Sequence, residues 1–216
     1  MMMKRLCIVL LPALLLGGAV FSFTTTATRA EARADAPKID AQVQAAIDGW
    51  IKSATKWAED PALVDEVQGQ NKKGPIADMT EAKWKEQKRR TPLIDGFQNT
   101  PAAKMLAQQQ KESNELVCEA FVSAAQGEKV CFLEKTSSYI HKGKAKFDVP
   151  FTTGKPWQGE PTCDESTQPH SLQFSVPVFP ARKEGDDPKA ERKAIGVLTV
   201  GLNFTQLQEN AKKSGK

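Results

Sequence analysis

The 216 residues include one tyrosine, two histidines and four cysteines, and these shortages remove whole classes of chemistry. His141 and His170 have no carboxylate or cysteine partner at metal-ligand spacing, so the parts of a zinc-type site are missing and neither a metal nor another cofactor is expected. Serine, histidine and aspartate all occur, yet no G-x-S-x-G elbow frames a hydrolase nucleophile and no G-x-x-x-x-G-K-[ST] loop offers a phosphate cradle. Lysine and arginine number 30 against 26 acidic residues, and the two signs are interspersed. The basic face that nucleic acid requires is therefore absent, and a nucleic-acid partner is excluded. Beyond Phe23 no apolar run approaches the roughly 20 residues of a membrane helix, and no internal repeat is visible.

One apolar run does exist, at the beginning. Lys4 and Arg5 precede an uncharged stretch over 6–23, followed by a Thr-rich segment and small-residue sites at Ala30-Glu31-Ala32 and Ala34-Asp35-Ala36. This is the pattern of a secretory signal peptide, with cleavage expected near Ala32 and a periplasmic or secreted mature chain. Left uncleaved, the same run is a marginal inner-membrane anchor. The leader's four charged residues carry half of the formal charge of +4, so the mature chain is nearly balanced. Cys118, Cys131 and Cys163 remain after export, an odd set that allows at most one disulfide and leaves a free thiol.

The mature chain changes period halfway along. Ile39, Val43, Ala46, Ile47, Trp50, Ile51, Ala54 and Trp57 recur at three- and four-residue spacing, which predicts a long amphipathic helix over 39–59. Asp60-Pro61 predicts a capped helix over 61–70, with 71–75 as a loop. Asp78 or Thr80 caps a helix that carries Trp84 and reaches Arg90, Thr91-Pro92 breaks or restarts it, and a further helix covers 101–112. Strand patterns then take over: 115–123 and 129–134 around a turn at Ala125-Gln126-Gly127, followed by 171–179 and 193–204. A three-residue turn places Cys131 opposite Phe121, with Cys118 on the other face. The intervening 136–168 is expected to be irregular, with one short strand or helix. The polar loop 181–192 separates the last two strands, and 208–216 is expected as a polar tail. The plan is α+β: a long N-terminal helix and a helical segment packed on a five-stranded antiparallel sheet, in one domain over 33–207 behind a leader over 1–32.

The ordered set of Asp60-Pro61 with 67–71, Glu119-Ala120-Phe121-Val122 through Gly127 and Val130, Thr136-Ser137-Ser138-Tyr139, Asp164-Glu165-Ser166-Thr167, Ser175-Val176-Pro177-Val178 and 195–203 resembles the single Cache family, the extracellular PAS-like sensor domains. The resemblance covers most of the mature chain. It implies a PAS-like fold, a small-molecule ligand and a sensory role without catalysis. The chain shows no output domain of its own, so a membrane receptor or kinase partner is implied. One departure matters: after Thr-Ser-x-Tyr the relatives continue Trp-Gln-Gly-Asp-Glu, whereas this chain reads Ile140-His141-Lys142-Gly143-Lys144. An acidic, aromatic loop has become basic, which shifts the expected ligand towards an anion.

Candidate ligand-binding residues follow. Thr136, Ser137, Tyr139, His141 and Lys142, with Lys144 and Lys146, bring hydroxyls, an imidazole and ammonium groups into a Gly-containing loop, chemistry suited to carboxylate or phosphate. A solvated basic loop has the same composition. Asp164 and Ser166 offer polar groups before a strand, or simply a polar turn. Glu119 faces either the pocket or the open side of the sheet. Trp157, in a Gly- and Pro-rich segment, is a candidate for a pocket mouth, whereas Trp50 and Trp57 are core positions of a helix face. Two rival readings are an envelope interaction protein, dimerising through the long helix, and a small hydrolase using Glu119, Asp164 or Glu165.

Overall fold

The computed structural model describes residues 37–163, 170–182, 185, 187 and 190–214. The leader, the tetrad from Asp164 to Thr167 and parts of the 181–192 loop lie outside these residues.

The helical half is built by side-chain caps at its starts. Asp40 Oδ1 accepts from the amides of Gln42 and Val43 and opens α1 (Ala41–Trp57), which turns Val43, Ile47 and Ala54 into the core. Asp60 Oδ1 accepts from Ala62 N at the start of α2 (Pro61–Lys73), where Pro61 occupies a position with no amide to lose. This helix runs past the expected loop start at 71, because Asn71 is held by the core side: its amide reaches Ile195 O and its carbonyl oxygen accepts from Ala125 N. Gly74, at φ 73°, then ends it. Thr80, Thr91 and Thr100 cap α3 (Glu81–Glu86), α4 (Pro92–Gln98) and α5 (Pro101–Glu112). The helix carrying Trp84 therefore stops four residues short of Arg90, and Thr91-Pro92 restarts rather than prolongs it.

The second half is a fully antiparallel sheet of β1 (Val117–Ala124), β2 (Lys129–Phe132), β3 (Trp157–Gln158), β4 (Thr162–Cys163), β5 (His170–Val178) and β6 (Gly196–Asn203), in the order β2-β1-β6-β5-β3, with β4 also pairing β5. Helix α6 (Ala145–Thr153) lies in the connection between β2 and β5, and α7 (Phe204–Ser214) follows β6. Residues 208–214, expected as a polar tail, form most of α7, which buries Leu207 and Ala211, and Gln42 Nε2 of α1 donates to Ala211 O.

The hairpin register corrects the sequence expectation by one residue. Glu128 joins the turn through the bond from Ala124 N to Glu128 O, so Phe132 opposes Phe121 and Cys131 opposes Val122, with an irregularity at Val122/Ser123. Cys131 is thereby buried under the helices while Cys118 is exposed, and both thiols are free.

Register assigns two faces to the sheet. Ala120, Val122, Phe174, Val176, Leu198 and Val200 point to the back, where they form the main core with α1, α2, α5 and α7. The front carries three rows: Glu119–Gly201–Gln173, Phe121–Thr199–Ser175 and Ser123–Val197–Pro177. Trp157 extends the middle row beyond Ser175. A smaller aromatic core of Trp84, Ile94, Phe121, Phe132 and Tyr139 covers the β2 end of the front, and α6 packs over β5 and β6. Trp50 and Trp57 meet edge to face at 6.1 Å and are only half-buried against the main core. Among the described residues no helix is long and apolar enough to cross a membrane.

Candidate ligand-binding site

Four nitrogen-bearing side chains converge on the front of the sheet, and three of them meet the ring of Phe121. Lys129 comes from the end of the hairpin, opposite Ser123, and its Nζ stands 3.3 Å from the ring centroid. Lys146, from the first turn of α6, places its Nζ at 5.5 Å. The His141 imidazole packs on the same ring at 4.6 Å between centroids. Lys144 lies just before α6, its Nζ donating to Ser138 Oγ at 2.6 Å. One carboxylate faces this group: Glu119 accepts from Gln173 Nε2, and Gln173 Oε1 in turn accepts from Lys146 Nζ at 2.9 Å. Beneath them Ser175 and Thr199 share a buried hydroxyl–hydroxyl bond of 2.9 Å.

The cluster is under-satisfied. Lys129 is 0 % exposed and His141 3 %, yet Lys129 Nζ, His141 Nδ1 and the neighbouring Ser123 Oγ have no hydrogen-bond partner among the described residues. Buried polar atoms are normally paired, so each of these groups calls for an explanation. Electrostatics point the same way. Burial holds the Lys129 ammonium well below the usual lysine range, and repulsion from Lys146 and Lys144 works in the same direction against the pull of Glu119. His141 is pushed down to about 2 by burial and then by Lys129, Lys146 and Lys144, so its ring is neutral. Burial and Lys144 also lower Lys146. Among the described residues, three lysines thus stand against one carboxylate, with unpaired polar atoms between them.

The loop carrying these groups is fixed at both ends. His141 N donates to Gly127 O at 2.7 Å, and Gly127, at φ 85°, lies so close to the chain that a Cβ there would stand 2.3 Å from Lys142 N. On the other side, Glu81 accepts from the amides of Tyr139 and Ile140.

The residues singled out from sequence divide between this site and the scaffold. His141 and Glu119 belong to the cluster, with Lys144 and Lys146. Tyr139 is 1 % exposed, and its hydroxyl accepts from Ile76 N at 2.8 Å beside the Trp84 ring, so it is committed inside the aromatic core. Thr136 is buried, with its hydroxyl donating to Ser138 O and its carbonyl accepting from Trp84 Nε1. Ser137 and Lys142 are exposed. Trp157 is half-buried at the β3 edge of the middle front row. Asp164, Glu165 and Ser166 lie outside the described residues. Lys129, Gln173 and Ser123 were missed: a lysine opening a short strand reads as a solvated strand end, and only the alternation Glu119-Phe121-Ser123 hinted at a shared face. Among the described residues no group of three or more His, Cys, Asp or Glu side chains is placed to hold a metal ion.

No protein-family model matches the chain, and no curated protein matches it. Several solved structures do. The sensor domain of the V. cholerae histidine kinase DctB aligns at 12 % identity and a TM-score of 0.42, over 79 % of this chain and 56 % of that one. The ligand-binding domain of the Pseudomonas fluorescens chemoreceptor CtaA, solved with L-leucine, aligns at 13 % identity and 0.42, over 79 % and 55 %. The sensory domain of the Campylobacter jejuni chemoreceptor Tlp3 aligns at 14 % identity and 0.41, over 77 % and 58 %. The chain thus spans little more than half the length of these structures. They are sensory domains of the Cache type, the class that the sequence motifs also resemble.

Proposed function

We propose that this chain is an exported, non-catalytic sensory domain that binds a small anionic molecule between the front of its sheet and the connection 133–153. The ligand's negative group meets Lys129, Lys144 and Lys146, with His141 and Ser123 completing the donors. The observation that carries this reading is the Lys129 amine, fully buried, without an acceptor among the described residues, and held beside Lys144 and Lys146. A structural lysine in that position would have a carboxylate partner. Glu119, the carboxylate whose charge acts on Lys129, is engaged by Gln173. That engagement also argues against Glu119 as a free acid or base.

Signalling follows from where the ligand sits. An anion bridging β2 and α6 stabilises the closed placement of 133–144 relative to the sheet, and this differential affinity biases one arrangement of the domain. A membrane receptor or kinase is the partner that such a bias would inform.

The test is a thermal-shift screen of the chain against carboxylates, phosphates, amines and sugars. A ligand at 100 times its dissociation constant adds about 2.7 kcal/mol of stability. The reading predicts shifts confined to anions and abolished in Lys129→Met and Lys146→Met. Shifts from amines or sugars alone, or anion shifts that survive both substitutions, overturn it.

A further inference from the structure

We infer that Lys129 is a reversible covalent anchor for 2-oxo acids: its amine condenses with the ligand's carbonyl carbon while Lys144 and Lys146 hold the ligand's carboxylate. The inference rests on the anion-binding reading and names the ligand class. Its basis is a difference among the three lysines. Lys144 and Lys146 keep hydrogen bonds to Ser138 Oγ and Gln173 Oε1, as cations that hold a carboxylate should. Lys129 alone has no acceptor, no exposure, and an aromatic ring under its nitrogen at 3.3 Å. An amine desolvated against an apolar surface and next to other cations is kept neutral, and the neutral amine is the nucleophile. Ammonium–carboxylate pairing alone would not require this one lysine to be stripped of every polar partner.

His141 supplies the remaining chemistry. Its ring packs against Phe121, as the Lys129 nitrogen does, is neutral, and has an Nδ1 without a partner among the described residues. The Lys129 lone pair forms the C–N bond as the carbonyl π pair moves to oxygen. A proton passes from the nitrogen to that oxygen by way of the imidazole, giving a carbinolamine. The nitrogen lone pair then expels the hydroxyl, which leaves as water after taking up one proton from solvent. The balance is amine plus oxo acid plus one proton, giving iminium plus water. The iminium charge is met by the ligand's carboxylate and by Glu119.

The experiment treats the full chain with pyruvate and cyanoborohydride and locates adducts by intact and peptide mass spectrometry. Lactate, which has the carboxylate but no carbonyl, serves as a separate binding probe by thermal shift. The expected result is one carboxyethyl group at Lys129, formed ahead of every other lysine and competed by lactate. Lys129→Arg, whose guanidinium is not a nucleophile, should acquire no adduct at that position. An unmodified Lys129, or modification spread over exposed lysines, overturns the inference. Lactate binding in that case leaves the anion-binding reading standing, whereas its absence removes both.

Discussion

A lysine nitrogen surrounded by protein but met by no acceptor is stabilised less than the hydrocarbon that would fill the same space. Lys129→Met keeps most of the side-chain volume and removes the unpaired group, so the free protein should become more stable, by about 1–3 kcal/mol, the cost of an unsatisfied buried polar group. Thermal unfolding with and without ligand checks this: the variant should melt higher than the parent alone and gain nothing from anions. A lower melting temperature would show that the amine has a structural partner. Tyr139 presents the reverse case. Its hydroxyl satisfies Ile76 N across 63 positions of chain, and Tyr139→Phe orphans that amide. A loss of about 1 kcal/mol in chemical denaturation, with ligand affinity unchanged, is the expected outcome. These two residues also show where reading by sequence stops. Tyr139 looked like pocket chemistry and Lys129 like a strand end, because in each case the deciding neighbour lies far along the chain.

At the scale of elements, helix starts rest on local physics: Asp40, Asp60, Thr80, Thr91 and Thr100 each accept from an amide two or three residues on, and the sequence named Asp60 and offered Thr80 beside Asp78. Strand alternation flagged Glu119 but left its face open between the pocket and the outer side of the sheet. The hairpin register was not legible, since including Glu128 in the turn depends on how 139–142 packs against it. Gly127 joins these two pieces. Gly127→Ala must leave φ 85° or drive its Cβ into Lys142 N, so the bond from His141 N to Gly127 O should weaken. The expected cost is about 1–3 kcal/mol of strain, and hydrogen exchange at the His141 amide should accelerate more than exchange in β5 or β6. Uniform acceleration across the sheet would mean that the loop is not separately anchored.

For the whole molecule, the cluster makes stability depend on pH in a direction opposite to that of a lysine held by a carboxylate. Lys129, Lys144, Lys146 and His141 face one another, with Glu119 the carboxylate that acts on them among the described residues and the Cys131 thiol nearby. Lys129 and His141 are bases whose folded affinity for protons is lowered. The unfolded chain therefore binds more protons than the native one as pH falls below the ordinary lysine pKa, through Lys129, and below the ordinary histidine value of 6.5, through His141. Stability accordingly rises with pH, by at most about 1.4 kcal/mol per unit for each such proton. Urea unfolding from about pH 5 to about pH 9 should show the free protein gaining stability as pH increases, with His141 contributing below its ordinary value of 6.5. A saturating non-carbonyl anion such as lactate supplies the missing negative charge, lets Lys129 take its proton in the folded state, and should flatten that slope. An unchanged slope with anion bound would place the ligand elsewhere on the molecule.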